Sequence, residues 1–467
     1  MKVALIFLAM LMACRMAPHV AEQENVAKPY SVDITRHGAV SMMAVDLASG
    51  EVLLSHRADE RMTPASLTKI LTTGAALELL GPDYRYNTRF YLQAKSGVNN
   101  LYIQGGADPT LGSDRFDESK AEIIFANVLR SLQQRHITSI NAILVDNSCL
   151  PGISHPSKRL WEDMGNYYGA VPNGLSYKEN TFYLTLQSPS GSGKSVSIVE
   201  TEPELAIELQ CIVKSASNNK DSAYIYGHPD MGKWYISGTI PQARDAFVIK
   251  GALPHPEMTL GRELKTFLIG NGIEVKSVEK PDKGDLPNGD LLFSHASPEL
   301  RQMIGVINKK SHNLFADHLL FSMSKGQANW DNGIREVSGF WKEQVPEFSA
   351  ILFDGSGLSP FNAFSAADMV NVLKWMHAHE HSEVFKHSLS VSGVDGTLKS
   401  ILKEPGHKGS LIGKSGSMNG VLGYCGYITT QSGKELAFCV MANRFTESFS
   451  QIRSNMEVLM KELIERN

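Results

Sequence analysis

A serine and a lysine three residues apart, Ser66 and Lys69, lie in the stretch Thr63-Pro64-Ala65-Ser66-Leu67-Thr68-Lys69. On an α-helix that spacing puts both side chains on one face, so a hydroxyl nucleophile can meet an amine able to take its proton. The flanks predict such a helix. Thr63 suits an N-cap and Pro64 the first helical position, while the apolar run from Ile70 to Leu80 stops at Gly81-Pro82. Ser66 would then sit in the first turn, where unpaired N–H groups and the positive end of the helix dipole stabilise negative charge near its oxygen. Serine and lysine are common on helix surfaces, so this reading needs partners elsewhere in the chain.

Two further groups supply them. Lys310-Ser311-His312-Asn313 follows a predicted helix ending near Ile307 and offers a hydroxyl and an amide at i and i+2. Gly413-Lys414-Ser415-Gly416-Ser417 falls on a predicted strand, whose Gly416 lets a ligand's backbone approach closely. Other groupings carry less. Gly191-Ser192-Gly193-Lys194-Ser195 looks like the end of a phosphate loop, but Ser188 holds the first glycine position and a strand follows, so a hairpin loop is expected. His377, His379 and His381 alternate across a predicted helix end with no acid at a ligand offset, which favours a solvated surface.

The elements that must position these groups are legible in outline. Val40 to Leu47 and Glu51 to Ser55 predict a hairpin before the Ser66 helix. Short alternating runs follow at Arg89–Gln93, Asn100–Gln104, Thr181–Gln187, Ser195–Glu200, Leu205–Val213 and Ala223–Tyr226, with a helix over Glu118–Gln134. Helical texture returns at Ser297-Pro298-Glu299, which reads as N-cap, first helical position and first-turn acid, and again at Ser365-Ala366-Ala367-Asp368, which has the spacing of a capping box. Strands at Leu411–Met418, Val421–Thr429 and Leu436–Met441 and a helix over Ser450–Glu465 close the chain. An antiparallel sheet shared by both chain ends is expected, giving an α/β (α+β) fold with residues 28–84 and 295–467 as one split catalytic domain. Residues 85–294 would be an inserted accessory region of two β-rich subdomains.

A net charge of −4 argues against a nucleic acid partner. Lys2 followed by the apolar run Val3 to Ala13 predicts a signal peptide over 1–21 and export to the periplasm or cell envelope. Leu11-Met12-Ala13-Cys14 also resembles the box after which lipoproteins are lipidated, which would anchor the protein to the membrane through Cys14. No Cys-x-x-Cys or zinc-spaced Cys/His cluster occurs, so neither a metal nor a cofactor is expected. Cys425 and Cys439 flank the predicted turn Gln431-Ser432-Gly433-Lys434 and could face each other as a disulfide or as buried thiols.

Ser-x-x-Lys on a helix, Ser-x-Asn in a loop and Lys-Ser-Gly on a strand, in that order, resemble the signature of penicillin-binding proteins and serine β-lactamases, with serine for the usual threonine in the last motif. The spacing narrows the resemblance: Ser66 to Ser311 is 245 residues and Ser311 to Lys414 is 103. The extra length is where the D-alanyl-D-alanine carboxypeptidase/endopeptidase type of penicillin-binding protein (low-molecular-mass class C) carries its accessory domains. Further likeness runs through Arg61 with Pro64-Ala65-Ser66, Asp108-Pro109, Asp146-Asn147-Ser148, Lys310 to Asp317, Asp354 to Ser359 and Gly393 to Thr397. The resemblance implies a β-lactamase/transpeptidase-like fold and cleavage of peptidoglycan stem peptides through an acyl-enzyme on Ser66, with β-lactams as covalent inhibitors.

In that reading Lys69 is the base, given burial or a nearby charge such as Lys414, and Ser311 relays a proton to the leaving amine. Asn313 binds the substrate amide, Lys414, Ser415 and Ser417 hold the terminal carboxylate, and the backbone N–H groups of Ser66 and Ser417 form the oxyanion hole. Asp146 matches a family acid that reaches the amino group of the stem peptide's side chain, although its position after the strand Ala142–Val145 equally suits a turn residue. Pro360 stands where the family often has arginine, so side-chain recognition is expected to differ. A β-lactamase or esterase on the same core, and a non-catalytic cell-wall binding protein, are the alternative readings.

Overall fold

Both ends of the chain enter one six-stranded antiparallel sheet, in the order Ser390–Val391, Leu411–Met418, Val421–Thr429, Glu435–Asn443, Ala39–Asp46 and Val52–His56. The computed structural model describes residues 30–95, 97–150, 155–282 and 287–467. The expected leader over 1–21, with Cys14, lies outside them. Among the described residues no helix is long and apolar enough to cross a membrane.

The central strands Val421–Thr429 and Glu435–Asn443 are buried almost without interruption, because helices cover both faces of the sheet. On one face Cys439 and Met441 pack with Ile70 and Leu71 of the helix Thr68–Leu80 and with Met369 of the helix Ala366–Ala378. On the other, Phe438, Val440 and Ala442 meet Ile452, Met456 and Leu459 of the helix Phe449–Glu465. Cys425 and Cys439 stand directly opposite each other on neighbouring strands, both as buried free thiols.

Between these halves the chain makes a mixed five-stranded sheet, in the order Glu274–Glu279, Ser139–Asp146, Val98–Gln104, Asn87–Lys95 and Asp290–Ala296. Helices Ala121–Gln134 and Pro256–Gly270 share its hydrophobic cluster. A separate cluster around Phe182 and Trp234 joins two smaller sheets. There the strands alternate, as in Thr181–Ser188, where Phe182, Leu184 and Leu186 are buried and Tyr183 is exposed. Gly191 to Ser195 lies in the connection between the paired strands Thr181–Ser188 and Ser197–Glu202, a hairpin loop as expected.

Two local expectations change and a third holds. The run Leu205–Val213 is not one strand: Glu208–Cys211 and Lys214–Ala216 pair separately, each parallel to Lys233–Pro241. Ser297 does not cap the next helix. Its buried hydroxyl accepts the Tyr86 N–H at 2.9 Å, and Glu299 caps the helix Leu300–Lys310 in a box with Gln302. At Ser365 the box forms as read, with Ser365 Oγ taking the Asp368 N–H at 3.0 Å and Asp368 Oδ2 the Ser365 N–H at 2.9 Å.

Candidate active site

The start of the nucleophile helix is the first departure near the site. A 3-10 turn over Ala65–Leu67 leads into the α-helix Thr68–Leu80, so Ser66 precedes the α-helix and Lys69 lies in its first turn. The cause is Ala65, whose φ of 48° is left-handed and cannot continue a right-handed helix. Thr63 is no N-cap: its N–H donates to Asn443 Oδ1 at 2.7 Å and its carbonyl accepts from Asn443 Nδ2 at 3.1 Å. The end of the strand Glu435–Asn443 thus clamps the turn that carries Ser66. Two glycines press on the same turn, since a Cβ at Gly357 would lie 1.9 Å from the Ala65 carbonyl oxygen and one at Gly416 would lie 2.5 Å from that of Pro64.

Lys69 is fully buried, and its Nζ has three neighbours: Ser66 Oγ at 2.9 Å, Asn313 Oδ1 at 2.7 Å and the Ser356 carbonyl. Asn313 is oriented by its own amide, which donates through Nδ2 to the Tyr168 carbonyl at 2.9 Å. Two of the three neighbours can only accept, so a neutral amine spends both protons on them and turns its lone pair to the Ser66 hydroxyl. Burial, aided by the Arg159 guanidinium and opposed by Asp317 and Asp354, lowers its pKa to about 7. Arg159 is thus a cation bearing on Lys69 to which the sequence did not point, beside Lys414, whose charge and that of Lys69 repel each other.

Lys414 is also buried, with Nζ 3.0 Å from Ser311 Oγ and 2.6 Å from the Ser415 carbonyl. Its pKa falls well below the usual value, through burial first and then repulsion from Lys69. Ser311 caps the helix Leu300–Lys310 in the left-handed region at φ 56°, a conformation that turns its hydroxyl away from the helix course. His312, read as a lining residue, donates through Nε2 to Glu179 at 2.8 Å. Burial alone would raise the Glu179 carboxyl, but His312 and Arg115 outweigh it and hold it well below the usual carboxylate range.

A cleft of about 760 Å³ opens over Ser66 and is lined by Ser311, Asn313, Ser415 and Ser417 together with Tyr167, Tyr168, Phe361 and Arg444. Asp146 does not line it: its carboxylate accepts from the Tyr102 hydroxyl at 2.8 Å and the Ser148 N–H at 2.9 Å, as a turn residue would. His379 and His381 lie just beyond the helix Ala366–Ala378, with His379 3.0 Å from Glu78, and neither lines the cleft. Sequence reasoning missed Tyr167, Tyr168, Arg444 and above all Arg159, whose buried guanidinium touches Asp317 and Asp354. No motif marks it; the only trace was a lone arginine far from its partners in sequence.

A serine hydroxyl against a buried lysine amine, on a helix beside a doubly covered antiparallel sheet, defines a serine hydrolase of the transpeptidase-like class. Over residues 25–463 the sequence matches the D-Ala-D-Ala carboxypeptidase 3 (S13) family, and the chain belongs to that family. A D-alanyl-D-alanine carboxypeptidase of Actinomadura sp. (strain R39) is 27% identical over 445 residues, spanning 88% of this chain and 79% of the relative. The crystal structure of penicillin-binding protein 4 from Haemophilus influenzae superposes with a TM-score of 0.78 at 22% identity, covering 92% of this chain and 96% of that one, and the same protein has been solved with a β-lactam bound. A predatory endopeptidase from Bdellovibrio bacteriovorus shares the fold more loosely, with a TM-score of 0.53 at 17% identity over 91% of this chain and 94% of the other.

Proposed function

We propose that the protein hydrolyses the D-alanyl-D-alanine linkage of peptidoglycan stem peptides through an acyl-enzyme on Ser66, and that β-lactams acylate the same oxygen. The observation that carries this reading is the Lys69 Nζ to Ser66 Oγ contact of 2.9 Å, with both other Lys69 neighbours acceptor-only. Lys69 takes the Ser66 proton as Oγ bonds to the carbonyl carbon of the penultimate D-alanine. The carbon–nitrogen bond then breaks, and the proton passes by way of Ser311, which touches Lys414, to the departing amine. Water cleaves the ester, releasing the shortened peptide and restoring the hydroxyl.

Asn313 holds the substrate amide, and Lys414, Ser415 and Ser417 hold the terminal carboxylate. Backbone N–H groups of Ser66 and Ser417 bind the oxyanion, an arrangement worth about 3–4 kcal/mol per donor. The split catalytic part, 28–84 with 295–467, is supported by the sheet to which both chain ends contribute, and the accessory region 85–294 by its separate clusters. Action in the periplasm or envelope is supported by the leader-like residues 1–21 and by where such a substrate lies; retention there by Cys14 lipidation belongs to the same proposal. Labelling by a fluorescent penicillin, alongside D-alanine release from a D-Ala-D-Ala pentapeptide, tests it: an unlabelled wild type sinks the reading, and rapid turnover of the drug moves it to a β-lactamase.

A further inference from the structure

Arg159 lies outside every motif, in the region between the first and second of them, yet its side chain is wholly buried. Its Nη2 is 3.1 Å from Asp317 Oδ2, 2.9 Å from Asp354 Oδ2 and 3.5 Å from Ser356 Oγ, and Nη1 donates to the Gly169 carbonyl at 3.4 Å. The two carboxylates belong to different pieces of the site. Asp317 sits one turn beyond Asn313 on the helix Asn313–Ser322 and accepts the Gly355 N–H at 3.1 Å and the Ser356 hydroxyl at 3.2 Å. Asp354 folds the loop that follows it, accepting the N–H groups of Gly357 at 2.8 Å and Ser359 at 2.7 Å and the Asn362 amide at 2.8 Å. That helix supplies Asn313 Oδ1 to Lys69, and that loop supplies the Ser356 carbonyl. One guanidinium therefore joins the two elements that present both acceptor-only neighbours of Lys69.

We propose that Arg159 is a positioning residue for acylation: it fixes the Asn313 helix and the Ser356 loop at the spacing that leaves the Lys69 lone pair on Ser66, and it balances the charge of Asp317 and Asp354. This rests on the reading of Lys69 as the base. The charged and polar groups facing Lys69 are Ser66 from the preceding turn, Asn313 and Asp317 from the helix, Asp354 and the Ser356 carbonyl from the loop, Lys414 from the strand Leu411–Met418, and Arg159. Without Arg159, the charge of Asp317 and Asp354 would bear on Lys69 less opposed and hold its proton. Burial of Lys69 is the largest influence lowering its pKa; the carboxylates oppose it and Arg159 assists it. Asp317 responds in kind, raised to about 6 by burial and restrained by Arg159.

The test is the pH dependence of acylation by a fluorescent penicillin, measured on the whole protein as wild type, Arg159→Met, Arg159→Lys and Asp317→Asn. The wild-type rate is expected to rise along a limb near pH 7. In Arg159→Met the limb moves up by about one unit, and the rate at pH 7 falls at least about tenfold. Arg159→Lys, which keeps the charge without the planar fork, leaves the limb in place and recovers part of the rate. Asp317→Asn moves the limb down. A purely structural clamp would lower rates in all three with the limb unmoved, and that result, or shifts of one sign in Arg159→Met and Asp317→Asn, overturns the proposal. Should Arg159→Met fail to fold, Arg159→Gln, which keeps an amide donor without the charge, takes its place, and a limb that does not move up in it overturns the proposal. A wild type that labels without any such limb removes Lys69 as base and this inference with it, whereas a limb indifferent to Arg159 and Asp317 removes only the inference.

Discussion

The strands Glu435–Asn443 and Thr181–Ser188 are of similar length, but the first is buried at nearly every position and the second at every other one. A sheet covered on both faces gives water no path to its middle. Amines packed against it, Lys69 and Lys414, are stripped of hydration, and that drives both toward the neutral form. On the one-sided sheets of the intervening region, Lys214 and Lys250 are exposed. Reactivity thus follows from coverage; the intervening region meets the site through Arg159, the Tyr168 carbonyl and Glu179, and lines the cleft with Glu162, Asp163 and Tyr224.

The contrast is open to attack at several points. Ser66→Ala should abolish penicillin labelling and lower peptide turnover by about 10⁶-fold, as removal of a nucleophile does elsewhere, with an unchanged melting temperature. Next comes a pair of left-handed glycines. Gly357→Ala, at φ 79° and against the Ala65 carbonyl, should cost about 100-fold in acylation. Gly193→Ala, at φ 76° in open space, should cost only about 1–2 kcal/mol of stability, read by urea unfolding, and leave acylation intact. Equal activity losses in the two would dissolve the comparison.

Ile428→Ala in the doubly covered sheet should destabilise by about 2–5 kcal/mol, against about 0.5 kcal/mol or less for Val248→Ala, whose side chain is half exposed. The smallest effect concerns Glu179. Its folded pKa is depressed below the ordinary 4.5, so its contribution is complete above that value and is lost as the pH falls below it. The melting-temperature gap between wild type and Glu179→Gln should therefore be widest near neutrality and close in acid.

Periodicity and turn residues made most of the fold readable: Leu411–Met418 and Val421–Thr429 appear with the bounds the sequence predicts, and the Ser365 box forms. Ser66, Lys69, Ser311, Asn313 and Lys414 converge because their motifs encode local geometry as well as chemistry. What escaped has no local signature. The left-handed Ala65 is imposed by the Asn443 clamp and the pressure of Gly357, both tertiary. Asp146 suits a ligand group by likeness and a turn residue by position, and its oxygens accept from Tyr102 and Ser148. Arg159 finds Asp317 158 residues on and Asp354 195 residues on, and spacing alone cannot announce such a partnership.

The clamp of Asn443 on Thr63 spans 380 residues. At synthesis rates of about 5–20 residues per second, the Ser66 turn exists for about 20–75 s before the strand that shapes it has been made. A half-made chain carries the nucleophile and the amine but has nothing to hold them in register. The order of the gene thus works as a delay, and the hydrolase cannot act on anything until the last of its strands arrives.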